Sequence, residues 1–131
     1  MTVTVTIREQ VAGGEAATAL SLELMASKLT VAELSRQRVY QEVQDHNRQK
    51  REHFKGLVMP RGSERTPKGY RMQAPRDVDW EAQYDLACKG FESNGFFVLV
   101  DGTQPPTLDT ELELGVDTDV RFVKLTPLVG G

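Results

Sequence analysis

Hydrophobic and polar residues alternate from the second position onward. Val3, Val5 and Ile7 fall between Thr2, Thr4 and Thr6. A period of two with β-branched residues predicts a half-buried strand. Gly13-Gly14 lies in a small-residue loop, after which Leu20, Leu22 and Leu24 alternate again. The two runs predict an antiparallel hairpin with a long connection. The period then lengthens. Thr30 stands where a helix N-cap belongs and Glu33 follows three residues later, the spacing of a capping box, while Leu29 and Leu34 hold the positions of a hydrophobic staple. No Gly or Pro interrupts residues 31–50. A helix is expected there, with Val31, Leu34, Val39 and Val43 on its buried face and Arg36 and Arg38 as irregularities in the stripe. Its far end, DHNRQKREH, is polar all round and is expected to protrude or fray.

Residues 54–76 break the pattern with Pro60, Gly62, Pro67, Gly69 and Pro75, which predicts a long irregular loop. A second helix is expected to start at Asp77 or Asp79, either of which suits an N-cap. Trp80, Tyr84, Ala87 and Phe91 recur at helical spacing on one face, and Asn94-Gly95 is the expected left-handed stop. Phe96–Val100 is a continuous apolar run of the kind a central strand carries. Asp101-Gly102 turns the chain, and Pro105 and Pro106 confine the next stretch to a loop or sheet edge. Leu108, Leu112, Leu114 and Val116 are expected to anchor an irregular connection. Asp117 to Asp119 turns again, and Val120–Leu125 is the last strand, with Val120 and Phe122 on one face and Val123 and Leu125 on the other. The first and last strands of this order can pair in parallel at the centre of a sheet with the first helix across one face. The expected fold is therefore α+β: a β-grasp roll with a helix- and loop-containing insertion between the first helix and the third strand.

At 131 residues the chain is expected to form a single domain with a core of its own. A hydrophobic content of 39% with 27% charged residues describes a globular protein, and no apolar run approaches the roughly 20 residues that span a membrane. The first residues, MTVTVTIRE, lack the layout of a secretory signal, so a cytoplasmic location is the expectation. Cys88 is the only cysteine, which excludes an internal disulfide framework and a multi-cysteine zinc site.

Charge is segregated along the chain. Residues 48–76 carry nine basic side chains against Glu52 and Glu64, a balance of +7, and the remainder carries −10. Such asymmetry indicates a partner surface or a self-complementary contact. Phe54 and Tyr70 among the basic residues are the types that stack on bases. With a sequence pI near 5.4 and no nucleic-acid motif, a protein contact is the preferred reading.

The final residues read Pro127-Leu128-Val129-Gly130-Gly131. Glycine has no side chain to bury and leaves the backbone free. A Gly-Gly pair after the last strand suits a tail that threads a narrow channel and presents its carboxylate there. With this ending and the order of elements before it, the chain resembles the ubiquitin-like β-grasp family. The tail is similar to that of prokaryotic sulfur carriers, and the layout looks most like bacterial ubiquitin-like modifiers. Those are encoded in operons beside an activating enzyme, a conjugating-enzyme-like protein and a deconjugating peptidase. The resemblance covers residues 2–50 and 96–126 as the β-grasp body and 127–131 as a flexible tail; it leaves residues 51–95 as an insertion.

The resemblance implies a substrate and not an enzyme. An activating enzyme would use ATP to adenylate the carboxylate of Gly131, and the acyl group would pass to a target protein. Gly130 and Gly131 are then the conjugation site, and Pro127, Leu128, Val129 and Leu125 the residues by which the tail is held. Pro127 also prevents further strand pairing. No catalytic residue, metal ligand or cofactor is expected in this chain. The alternatives are a sulfur carrier with a thiocarboxylate at Gly131, and a non-conjugated β-grasp interaction module that self-associates. Cys88 reads as an inert half-buried thiol, and His46 and His53 as solvated surface histidines. Trp80 and Phe91 are expected to pack the inserted helix.

Overall fold

The computed structural model describes residues 2–11, 13–49, 53–66, 68–72 and 77–125. Within them lie nine strands and two helices: β1 (Val3–Val11), β2 (Ala17–Leu24), β3 (Lys28–Thr30), α1 (Val31–Gln49), β4 (His53–Phe54), β5 (Ser63–Thr66), β6 (Gly69–Met72), α2 (Trp80–Glu92), β7 (Phe96–Val100), β8 (Glu111–Glu113) and β9 (Val120–Lys124). The chain is a mixed α+β protein with two compact units. One comprises residues 1–34 and 90–131, and the other residues 35–89.

The first unit is built on a four-stranded sheet in the order β2-β1-β9-β7. β1 and β2 form the expected antiparallel hairpin, with Val5 opposite Leu22 and Val3 opposite Leu24. A register irregularity between Ile7 and Arg8 interrupts that pairing. β1 runs parallel to β9, from Ile7 beside Val120 to Val11 beside Lys124. The first and last long strands therefore meet at the centre of the sheet. Alternation decides which residues enter the core: Val5, Ile7, Leu22, Leu24, Phe96, Val98, Val120 and Phe122 are all buried. Val31 and Leu34, in the first turn of α1, are buried as well. Phe91 meets the ring of Phe96 edge-on at 5.9 Å, a geometry worth about 0.5–1.5 kcal/mol beyond burial.

The apolar run 96–100 is not central. β7 closes the sheet order beside β9, and its burial alternates, with Phe96 and Val98 buried and Phe97 and Leu99 half-buried. A run apolar on both faces marks coverage of both faces and does not by itself mark position in the order. Asp101-Gly102 forms the expected turn. Both residues have positive φ, 49° and 83°, and Val100 and Thr103 exchange backbone hydrogen bonds of 2.8 and 3.0 Å across it, the geometry of a tight hairpin turn. The connection after this turn carries β8, antiparallel to β3 with Leu112 opposite Leu29. Leu112 and Leu114 are buried there, but Val116 is 72% exposed and anchors nothing.

Thr30 caps α1 as expected: its hydroxyl accepts the Glu33 N–H at 3.1 Å. Of the far end of α1, Lys50, Arg51 and Glu52 lie outside the described residues, and the last turns before them are held in place. Asn47 is tied to Val78 by two hydrogen bonds of 3.0 and 2.7 Å, and His46 is buried. Pro67 and residues 73–76 lie outside the described residues, and the rest of 54–76 is more regular than its Gly and Pro content predicts. β4, β6 and β5 form a three-stranded antiparallel sheet, with Phe54 opposite Tyr70 and Arg65 opposite Tyr70 on its other side. Gly69 makes this possible: its φ is +127°, and a Cβ there would lie 2.8 Å from the Phe54 carbonyl oxygen. Pro60 and Gly62 form the turn that leads into β5, with the Ser63 N–H donating to the Pro60 carbonyl at 3.3 Å.

Helix α2 starts at Trp80 with Asp79 as its cap, the carboxylate accepting the Glu81 N–H at 3.0 Å. It ends on Asn94 in the left-handed region, φ 64°. The Gly95 N–H returns to the Gly90 carbonyl at 2.7 Å, so the helix is capped as its sequence predicts.

Candidate functional site: the root of the C-terminal segment

Pro127, Leu128, Val129, Gly130 and Gly131 lie outside the described residues; Leu125 lies within them. β9 ends at Lys124, which stands opposite Phe96 of β7. The ladder is extended one step further: the Leu125 N–H donates to the Gly95 carbonyl at 3.0 Å. The Leu125 side chain is 38% exposed, so it holds apolar surface that the unit itself does not cover.

Two neighbours complete the root. Lys124 pairs with Glu9 across the parallel register, Nζ to carboxylate 3.5 Å, with both side chains largely covered. Val11, opposite Lys124 in β1, is 50% exposed. On the opposite face of β9, Arg121 donates to Gln10 Oε1 at 3.2 Å and to the Asp119 carboxylate at 3.2 Å, while Arg8 lies 3.6 Å from Asp119. These contacts fix β9 to β1 on both faces of the sheet, and the ladder with β7 holds its other edge. The position and direction of Leu125 are therefore set by two flanking strands and by the cap of α2, through Gly90, Gly95 and Leu125 in turn.

The second unit holds polar groups that sequence reasoning missed. Arg38 is 1% exposed. It donates through Nε and Nη2 to Glu42 Oε2, both at 3.2 Å, and Glu42 Oε1 accepts the Leu57 N–H at 3.1 Å. Gln83, also buried, donates to the Val58 carbonyl at 3.0 Å. The segment after β4 is thus held by the side chains of two helices. His46 is 6% exposed and stacks edge-on to Phe54 at 5.3 Å, which corrects its expected solvated position; His53 is half-buried in β4. The signal was available: Arg38 and His46 lie seven residues after Val31 and Val39, two turns along the same face. Cys88 is half-buried, as expected. Trp80 packs on α1, edge-on to Tyr40 at 5.3 Å and beneath the Arg36 guanidinium at 5.6 Å.

Among the described residues no cluster of His, Cys, Asp or Glu is arranged to hold a metal ion. No described helix is long and apolar enough to cross a membrane. No family model matches the chain, and no curated protein and no solved structure matches it. The class is set by the fold alone: a mixed α+β protein with a four-stranded mixed sheet and two helices.

Proposed function

We propose that this chain is a ubiquitin-like modifier of the β-grasp type, activated at the carboxylate of Gly131 and transferred to a target protein in a bacterial ubiquitination-like pathway. The observation that carries this reading is the parallel pairing of β1 with β9 in the centre of the order β2-β1-β9-β7, with α1 following the hairpin. That arrangement brings the last strand to the middle of the sheet. Rooted at Leu125, residues 126–131 continue directly from it.

The chemistry belongs to the partners. An activating enzyme joins the Gly131 carboxylate to the α-phosphate of ATP and releases pyrophosphate. An enzyme thiol then attacks the acyl carbon, AMP leaves, and a thioester remains. A conjugating-enzyme-like protein carries the acyl group to an amine or hydroxyl of the target, and a deconjugating peptidase hydrolyses the product. Gly130 and Gly131 offer no Cβ to clash in a tight channel. Pro127 ends strand pairing, and Leu128, Val129 and Leu125 supply apolar contacts. The reading needs a free α-carboxyl at Gly131.

The test uses the N-terminally tagged chain recovered from its host under denaturing conditions, half of it treated with neutral hydroxylamine. Tryptic cleavage after Lys124 should leave LTPLVGG on target peptides. Remnants that survive hydroxylamine identify an isopeptide, and remnants that it removes identify an ester or thioester. A terminal thiocarboxylate would make the chain a sulfur carrier instead. Recovery of the tail only as a free acid, or of sequence continuing past Gly131, would sink the proposal.

A further inference from the structure

The charge asymmetry of the sequence coincides with the two units. Residues 35–89 hold twelve basic and eight acidic side chains, a balance of +4, while residues 1–34 and 90–131 hold four basic and eleven acidic, a balance of −7. Each unit shows a cluster of exposed charges of its own sign beside a short strand with an unpaired side.

In the second unit the cluster surrounds Gly69. Lys55 follows β4, and its Cγ lies 3.3 Å from where a Gly69 Cβ would stand. Arg65 sits on β5 opposite Tyr70, and Lys68 precedes β6 at the β5–β6 turn. All three are exposed, and none forms an ion pair among the described residues. Among those residues β5 pairs only with β6, so its other edge offers backbone donors and acceptors.

In the first unit the cluster lies on and before β8. Asp109, Glu111 and Glu113 are exposed, separated by the buried Leu112 and half-buried Thr110, so alternation sends the two glutamates outward together. Lys28 stands opposite Glu113 in the register, yet none of the three carboxylates has an ion pair among the described residues. Among those residues β8 pairs only with β3, leaving its second edge open as well.

We infer that the basic corner Lys55, Arg65 and Lys68 of one copy docks on the acidic strand Asp109, Glu111 and Glu113 of a second copy. Three cations face three carboxylates, and the unpaired edges of β5 and β8 lie beside them. The contact uses different surfaces on the two partners, so after one contact one copy keeps its acidic strand open and the other its basic corner. Such a contact joins unlike surfaces of the two copies. A polyanion such as single-stranded nucleic acid also suits a basic corner, but it leaves the acidic strand without a role. A second copy satisfies both. This inference is independent of the conjugation chemistry proposed above.

The experiment is sedimentation of the full chain over a range of concentrations, first at about 0.1 M salt and then at about 1 M, where the screening length falls from roughly 10 Å to roughly 3 Å. The weight-average mass should exceed 14.6 kDa at low salt and fall to it at high salt, with an apparent Kd at least about tenfold weaker. The triple variants Lys55→Gln, Arg65→Gln, Lys68→Gln and Asp109→Asn, Glu111→Gln, Glu113→Gln should each be monomeric with unchanged circular dichroism. Mixed in equal amounts, they should form a heterodimer and nothing larger, because each retains one of the two surfaces. A wild-type chain that stays at the monomer mass throughout would overturn the inference. So would variants that assemble as the wild type does, or a mixture that remains monomeric. Salt-sensitive binding of single-stranded nucleic acid to a monomeric wild type, lost in the basic-corner variant, would assign the corner to that partner instead.

Discussion

Asn47 and Val78 engage each other through two hydrogen bonds. The Asn47 amide nitrogen donates to the Val78 carbonyl at 3.0 Å, and its oxygen accepts the Val78 N–H at 2.7 Å. A side-chain amide here takes the part of a neighbouring strand, and it joins the last turns of α1 to the segment that leads into α2.

Asn47→Ala should therefore destabilise the fold by about 1–3 kcal/mol, because the Val78 N–H and C=O lose both partners at once. Val78 is itself buried, so water replaces them poorly. Urea unfolding measures the loss. Asn47→Asp, which keeps the acceptor and lacks the donor, should fall between the wild type and Asn47→Ala; an alanine variant with wild-type stability would remove the clamp from the account of the fold.

Arg38 and Glu42 form a buried ion pair, their side chains 1% and 8% exposed. Removing one member leaves the other charge without its counter-ion, a loss of about 3–5 kcal/mol in such pairs. Arg38→Met should cost that much. Arg38→Met combined with Glu42→Gln should cost less than Arg38→Met alone, since the glutamine carbonyl can still accept the Leu57 N–H and no charge stays buried. Equilibrium unfolding of the single and double variants decides it, and a double variant no better than Arg38→Met would contradict a role for the stranded charge.

At the Asp101-Gly102 turn the cost of a side chain is conformational only. No atom lies within 4 Å of a Cβ built on Gly102, but its φ is +83°. Gly102→Ala should lower stability by about 1–2 kcal/mol, the ordinary cost of a left-handed L-residue. Asp101→Asn should be tolerated, because asparagine adopts positive φ readily and its side-chain oxygen can still accept the Asp119 N–H, now 2.8 Å from the Asp101 carboxylate. Thermal melts compare the two; an alanine variant as stable as the wild type would mean that the turn relaxes.

Leu125→Asp tests the proposed function at the one tail-recognition residue within the described structure. Its ladder bond is made by backbone, so folding should change by less than about 1 kcal/mol, as at other partly exposed positions. If the side chain seats the tail on an activating enzyme, losing a buried leucine's worth of contact, about 1.5–3 kcal/mol, should weaken capture by roughly 10- to 150-fold in pyrophosphate exchange. An unchanged exchange rate would exclude Leu125 from recognition.

Local chemistry was legible where it acts over a few residues. The Thr30 cap, the stop at Asn94, the turn at Asp101-Gly102 and the β1–β2 hairpin all arise from residue types at fixed short spacings. Long-range pairing was legible at one point, the parallel contact of β1 with β9, because alternation exposed a matching apolar face on each. The described part of 54–76 was misread because proline and glycine mark turns without revealing what lies between them. His46 and the last described turns of α1 were misread because polarity alone does not distinguish a solvated side chain from a partnered buried one.

The sequence by itself determined the longer elements β1, β2, α1, α2, β7 and β9, the caps and turns at Thr30, Asn94 and Asp101-Gly102, and a +7 segment within a chain of charge −3. These depend on neighbours within a turn or two, or on side chains that carry their charge wherever they lie. Only the tertiary structure decided that Arg38 and Glu42 are paired out of water, that Asn47 closes on Val78 thirty-one residues away, and that β7 lies at the end of the sheet order. Arg38 and Glu42 are one helical turn apart, but their burial, like the Asn47–Val78 clamp and the place of β7, requires distant segments to meet, a property that no single residue carries along the chain.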